Sequence, residues 1–378
     1  MKWMVPFSQL GEDQRRVLNS CTSASSSNHW IKGFAGSGKT VLLVHLLDRL
    51  EEEHPGSSVC IVVYTHALKD LVKTGIDSKR SDIPVLTYHA FLEDPDHYDF
   101  ILMDEVQDLA SEVVKDVSNY ADTLIVAGDH DQSIYLNSLS ESALRGAIRP
   151  KTHQLRIVYR LSRNLVNLAK AILPGSKIES ATLSKTANVK IVEARADSYE
   201  EEFSWLYETA IEFAHPESPS AILFTTRKAV LHFLHSVFEK NGSEVDGWPK
   251  GDYGKIDYDE VNGMLTKLGV PFRYLGSSFG DLYESDDDVI VYLMTYHSAK
   301  GLDFQTVFLP NLNHNTVFWR NNEDLNRRIF FVGATRSRRN LFLSYHSSRA
   351  HPFVKSIPGR VVNRVACEDS EADEDFYF

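Results

Sequence analysis

The chain has 378 residues, 43% hydrophobic and 24% charged, with a formal net charge of −12. That length predicts two domains of ordinary size, and the composition predicts a soluble globular protein with a sizeable core. The acidic balance excludes a protein that coats nucleic acid through bulk charge, while leaving room for a local basic groove. No apolar run reaches 18 residues, so no transmembrane helix is expected. The N-terminal stretch MKWMVPFSQLGEDQRRVL lacks the apolar core of a secretory signal. Three cysteines, Cys21, Cys60 and Cys367, lie far apart without metal-type spacing, which fits a reducing cytoplasm.

In chain order, the serine-rich Ser20–Asn28 reads as a surface loop, and the first predicted strand is Trp30–Phe34. GFAGSGKT (33–40) follows, and a helix over Val41–Leu50 comes next. This is the full G-x-x-x-x-G-K-[ST] pattern in a strand–loop–helix setting. Its glycines let backbone N–H groups turn toward phosphate oxygens, and the helix start adds the positive end of a dipole. The cradle is Gly33, Phe34, Ala35, Gly36, Ser37, Gly38, Lys39 and Thr40. Lys39 supplies charge to the outer phosphates, and the Thr40 hydroxyl can ligate Mg²⁺.

Further apolar, β-branched runs are VCIVVY (59–64), FILM (100–103), TLIVAG (123–128), AILFT (221–225), VIVYLMT (289–295), TVFLP (306–310) and LFLSY (341–345). Continuous runs of this kind suit strands buried on both faces, and their alternation with helices suits parallel sheets. After FILM come Asp104 and Glu105. At the end of such a strand Asp104 can hold the metal and Glu105 can orient or deprotonate the attacking water. After TLIVAG, Asp129 and Gln132 reach the edge of the same sheet, where Gln132 can sense the γ-phosphate. The pattern breaks at RPKTH, near Arg149–His153. The expected division is therefore 1–152, 153–366 with a small insertion near 241–258, and an acidic tail at 367–378. The second half offers Arg160 and Arg336, cations that would stabilise the charge developing on the leaving phosphate when the domains close. The tail EDSEADEDFYF is either a solubilising segment or a docking peptide for a protein partner.

Taken in order, LGEDQRRVL, GFAGSGKT, YTHA, TYHAF, MDEVQD, AGDHDQSIY, YRLSRN, MTYHSAKGLDF and FFVGATRSRRNL resemble the motifs of UvrD/Rep-like superfamily 1 helicases, over residues 7–345. The resemblance implies an α/β fold of two tandem RecA-like P-loop NTPase domains, each a parallel sheet flanked by helices. It implies an ATP hydrolase that uses Mg²⁺ and engages single-stranded DNA, or RNA. Gln14 would read the adenine and Tyr159 would stack on it. Arg160 and Arg336 would contact the γ-phosphate, with Gly301 and Asp303 near the ribose and phosphates. Tyr64, Thr65, His66, Tyr88, His89 and Phe91 would line the single-strand path, with His297 behind them. Core packing is the alternative role for Tyr64 and Phe91.

Three departures qualify the resemblance. The family's two large accessory insertions are missing, since only EDPDHYD separates Leu92 from Phe100 and only DLYESDDD separates Gly280 from Val289. The stretch after GDHDQSIY continues LNSLSES, without the usual aromatic. Asp303 stands where the family often has Glu. The expectation is a trimmed motor whose unwinding is weak or partner-dependent. A second expectation, of another class, is a nucleotide-gated subunit that switches binding to a partner such as a nuclease. A small-molecule kinase or GTPase shares the phosphate loop but leaves the later motifs unexplained.

Overall fold

The structure is a computed structural model that describes residues 3–23, 27–76, 82–135, 139–184, 187–216, 218–276, 279–280, 282, 289–319 and 322–369. It divides into two compact units, one of residues 2–162 and 176–186, the other of 163–175 and 187–378. The acidic tail beyond Asp369 and most of DLYESDDD lie outside the described residues.

In the first unit the elements are α1 (Glu12–Thr22), β1 (His29–Gly33), α2 (Lys39–Glu53), β2 (Val59–Val63), α3 (His66–Gly75), β3 (Val85–Thr87), α4 (Tyr88–Glu93), β4 (Tyr98–Met103), α5 (Ser111–Ser118), β5 (Ala121–Gly128), α6 (Glu141–Ile148) and β6 (Lys151–Leu155). The six strands form one sheet in the order β3-β2-β4-β5-β1-β6, and every pairing is parallel. Trp30, Val62, Ile101, Met103 and Val126 are fully buried in one core cluster on this sheet. A short parallel pair, β7 (Ile157–Val158) with β8 (Thr182–Leu183), belongs to the same unit.

β6 runs through the segment where the sequence pattern breaks. Lys151–Leu155 pairs with His29–Gly33 as the last strand of the first sheet. The unit then continues to Ser162, so Tyr159 and Arg160 belong to it. α1 likewise carries through Cys21 and Thr22, inside the stretch read as a loop. Asp94–His97 alone connect α4 to β4, which leaves no room there for an inserted domain.

The second unit holds α7 (Arg163–Ile172), β9 (Lys190–Arg195), α8 (Tyr199–Glu212), β10 (Ser220–Phe224), α9 (Arg227–Lys240), α10 (Tyr258–Leu268), β11 (Phe272–Tyr274), β12 (Val291–Thr295), β13 (Phe304–Leu309), α11 (Glu323–Ala334), β14 (Ser337–Tyr345), α12 (Pro352–Lys355) and β15 (Asn363–Ala366). Its sheet runs β11-β12-β10-β13-β14-β9-β15, again parallel throughout. Phe224, Phe308 and Phe342 fill its core, with the last two rings stacked 4.7 Å apart. Residues 241–257 connect α9 to α10 with one short 3-10 turn. Each unit is thus a parallel sheet flanked by helices, the RecA-like arrangement.

Candidate functional site

In a parallel sheet the carboxyl ends of the strands share one edge, and ligands bind there. In the first unit that edge carries the phosphate loop after β1, Tyr64 after β2, Tyr88 after β3, Asp104 after β4 and Asp129 after β5. Motifs spread over a hundred residues are gathered by topology alone.

The loop is tight because its neighbours press on its glycines. Gly36 and Gly38 have φ of 72° and 86°, backbone that a side chain resists. A Cβ at Gly36 would lie 2.5 Å from the Cβ of Arg160, and one at Gly38 would lie 2.5 Å from Gln14 Nε2. A Cβ at Gly33 would lie 2.4 Å from Ser37 Oγ, which is buried and has no partner among the described residues. The Lys39 ammonium sits within the loop, donating to the carbonyls of Gly33 at 3.0 Å and Phe34 at 3.2 Å. Beside it Gln14 Nε2 donates to Ser37 O at 3.1 Å, and Gln14 Oε1 accepts from Gly11 N at 2.9 Å. Tyr159 N donates to Gly36 O at 2.9 Å, and its hydroxyl donates to Asp13 Oδ1 at 3.4 Å. Gln14, Tyr159 and Arg160 are therefore assembled on the loop within one unit.

The acidic group lies behind Thr40. Its hydroxyl donates to Asp104 Oδ2 at 2.6 Å, and Glu105 N donates to Asp104 Oδ1 at 2.8 Å. Glu105 adopts φ of 54°, left-handed backbone just beyond the end of β4. Its carboxylate accepts from Gln107 Nε2. Gln107 Oε1 in turn accepts from Asp129 N at 3.0 Å, and Asp129 Oδ2 accepts from Gln132 Nε2 at 2.9 Å. Glu105 and Gln132 thus sit at the two ends of one hydrogen-bonded chain. Burial pushes the Asp104 carboxyl up to about 6, with the adjacent Glu105 adding to the rise and Thr40 and Lys39 opposing it. Burial raises Asp129 as well, against the pull of Lys39.

These residues fit a nucleotide and its metal. The loop offers turned amides, an ammonium and an unpartnered hydroxyl. Thr40 and Asp104 offer hard oxygen donors in contact, the set Mg²⁺ selects, and a divalent cation would relieve the crowding of buried carboxyls.

Toward β2 and β3 an aromatic group forms. Tyr64 lies 5.4 Å from Tyr88, stacked, and 4.7 Å from Tyr135, while His89 adjoins Tyr88 at 4.0 Å. Tyr64 and Tyr88 are half-buried, and His66 and His89 are exposed. Thr65 caps α3, accepting from Leu68 N at 3.1 Å. Phe91 is fully buried against Tyr98 and Tyr120, so core packing accounts for it.

In the second unit, Gly301 has φ of 82°. Asp303 pairs with Arg338 at 2.7 Å. Arg336 donates to Val332 O at 2.8 Å, to Leu302 O at 3.0 Å and to Thr335 Oγ1 at 3.3 Å. His297 is half-buried, with its ring 6.1 Å from that of exposed Trp319, and burial lowers its pKa to about 4. The sequence reading missed Gln107, Tyr135 and Arg338. Gln107 and Tyr135 stand inside the motifs MDEVQD and GDHDQSIY, so motif position was an available signal; Arg338 carried none beyond its charge.

Fold and site together place a P-loop at the carboxyl edge of one of two parallel sheets. Residues 29–202 match the viral superfamily 1 RNA helicase core domain, and residues 278–348 match the UvrD-like helicase C-terminal domain. Over these two stretches the chain resembles superfamily 1 helicases, UvrD-like in its C-terminal part. It is 33% identical over 238 residues to a probable DNA helicase II homolog of Rickettsia conorii, covering 56% of this chain and 31% of that protein. It is 35% identical over 94 residues to the ATP-dependent DNA helicase Rep of Buchnera aphidicola, covering 23% of this chain and 14% of that protein. The chain therefore spans a third or less of the length of these relatives. Among solved structures, a Pif1 helicase described in DNA unwinding at forked duplexes is similar at TM-score 0.48 and 12% identity, covering 91% of this chain and 94% of that one. The arterivirus nonstructural protein 10 helicase, in complex with DNA, is similar at TM-score 0.45 and 15% identity, covering 90% and 65%. No helix among the described residues is long and apolar enough to cross a membrane.

Proposed function

We propose that the chain is an ATP-dependent motor that hydrolyses ATP and engages single-stranded nucleic acid, with duplex unwinding weak or dependent on a partner. The observation that carries it is the Thr40–Asp104 contact at 2.6 Å, with Glu105 fixed beside it by Gln107. Lys39 and the loop amides bind the outer phosphates. Thr40 and Asp104 hold Mg²⁺, which when bound neutralises charge developing on the phosphates. Glu105 orients or deprotonates the attacking water, and Gln132 reports on it through Asp129 and Gln107. Tyr159 and Gln14 hold the base. Arg160 and Arg336 serve the leaving phosphate, with Gly301 and Asp303 toward the ribose. Tyr64, Tyr88, His66 and His89 supply a stacking surface for bases, and stacking is indifferent to sequence. The four-residue α4–β4 connection supports the weak-unwinding part of the reading.

The test is ATP turnover with single-stranded DNA, with RNA and with neither, beside Lys39→Ala. Turnover is expected to rise with at least one oligonucleotide and to fall by about 10²-fold or more in the variant. Turnover indifferent to every oligonucleotide would replace the nucleic-acid reading with the nucleotide-gated subunit. Full turnover by Lys39→Ala would remove the hydrolase assignment itself.

A further inference from the structure

At the opposite end of β1 from the phosphate loop, three side chains converge that the sequence does not group. Cys21 lies in the last turn of α1, His29 opens β1, and His153 is the middle residue of β6. One possible ligand atom from each lies within 4.8 Å of the others. Cys21 is 2% exposed and His29 0%, while His153 is half-buried. The parallel register sets His29 opposite Lys151, so His29 and His153 share one face of the sheet. Their rings stack at 5.2 Å, with His29 Nδ1 2.9 Å from His153 Nε2. His29 Nε2 is buried and has no hydrogen-bond partner among the described residues.

We infer that Cys21, His29 and His153 form a transition-metal site of the zinc(II) type, with three protein ligands and a fourth position open. One thiol and two imidazoles are borderline-soft donors, which favour zinc(II) or cobalt(II) over Mg²⁺ or Ca²⁺. Burial keeps both imidazoles neutral, His29 falling to about 4, so each retains a lone pair to donate. A tetrahedral ion with bonds of about 2.0–2.1 Å to nitrogen holds two nitrogens roughly 3.4 Å apart. The imidazole contact therefore has to open by about half an ångström, and the thiol has to close, both within reach of side-chain rotation. Burial pushes the free thiol up to about 12, and nearby Lys151 pulls the other way. A bound cation deprotonates the thiol, and the resulting thiolate offsets the charge of Lys151, which is exposed and can turn to solvent. Entry is past the half-buried edge of His153. Five strand residues set this site about 13 Å from the loop along β1, so it is separate from the nucleotide site. A metal here would clamp α1, which carries Gln14, to the strand that carries the phosphate loop.

The test is titration of the metal-stripped, full-length chain with cobalt(II). One equivalent is expected to give a thiolate-to-cobalt charge-transfer band in the near ultraviolet with tetrahedral d–d absorption, both abolished by zinc(II). Cys21→Ser is expected to remove the charge-transfer band and weaken binding by about 100-fold or more, beyond the usual cost of losing an outer-shell partner. His153→Gln, at the half-buried edge, is expected to weaken binding comparably while circular dichroism stays native. Cys60→Ser and Cys367→Ser are expected to keep the band. Absence of the band at one equivalent, or its persistence at full affinity in Cys21→Ser, would overturn the assignment.

Discussion

At the scale of the residue, the phosphate loop is specified by space as much as by chemistry. Gly36 combines φ of 72° with an Arg160 Cβ 2.5 Å from where its own Cβ would stand. Gly36→Ala therefore has to strain the backbone, at about 1–2 kcal/mol, and displace Arg160 from the loop. The expected outcome is lower stability in a denaturant titration together with weaker binding of a fluorescent ATP analogue. Gly146 is the control: it lies in α6 with nothing within 4 Å of a new Cβ, so Gly146→Ala should stabilise by about 0.5–1 kcal/mol and leave binding alone. The loop was legible in the sequence because all of its chemistry is contiguous. The Glu105–Gln107–Asp129–Gln132 chain was only half legible, since a relay joining two strand ends has no spacing rule. The tyrosine group makes a second residue-scale prediction. Tyr64→Ala should weaken single-strand binding by roughly ten- to a hundredfold, the worth of one base stack, while Tyr64→Phe keeps the ring and most of the affinity. An unchanged affinity in Tyr64→Ala would return Tyr64 to core packing.

At the scale of the element, the sequence showed the strands that lie inside each sheet and missed most of those at the margins. β2, β4 and β5 are interior, and each carries an unbroken apolar run, VCIVV, FILM and LIVA. β3, β6, β11 and β15 are the edges of the two large sheets, and β9, next to an edge, carries Glu193. An edge strand is covered on fewer sides, so it needs no unbroken apolar run, and KTHQL in β6 reads as a linker for that reason. The expected domain break fell on β6 through this effect. Caps show the same limit at finer grain, because a cap is one hydrogen bond. At the start of α12 the imidazole of His351 accepts from Phe353 N at 3.2 Å through Nδ1. Burial holds its pKa down at about 4, so the ring stays neutral and keeps the acceptor. Because the folded value lies below the ordinary 6.5, the unfolded chain binds the extra proton between those limits. Stability from this group is complete above about pH 6.5 and declines as pH falls toward 4, by an amount on the order of 2 kcal/mol. His351→Asn retains a capping oxygen but does not titrate. Thermal unfolding at pH 7 and pH 5 should show a smaller acid loss in the variant than in the parent chain.

At the scale of the whole molecule, two parallel sheets with separate cores predict two cooperative transitions. The unit that carries Lys39, Thr40 and Asp104 is the one a nucleotide must stabilise. MgATP at 100 times its dissociation constant adds about 2.7 kcal/mol, enough to raise that unit's transition by roughly 5–10 °C. Lys39→Ala should abolish the shift. The second unit responds only if one of its own groups engages the nucleotide, the role the family resemblance implies for Arg336. Calorimetry with a non-hydrolysable analogue then separates binding from turnover: both transitions should rise in the parent chain, and the rise in the second should vanish in Arg336→Ala while the first is kept. Turnover should fall with the second shift, because a cation acting on the reacting phosphate serves hydrolysis more than ground-state binding. If the second transition stays fixed in the parent chain, hydrolysis has to be completed within the first unit, where Arg160 already lies against the loop. Nucleotide state would then have no route to the surface around His297 and Trp319, and the motor reading would fail for the molecule even if each site bound its ligand.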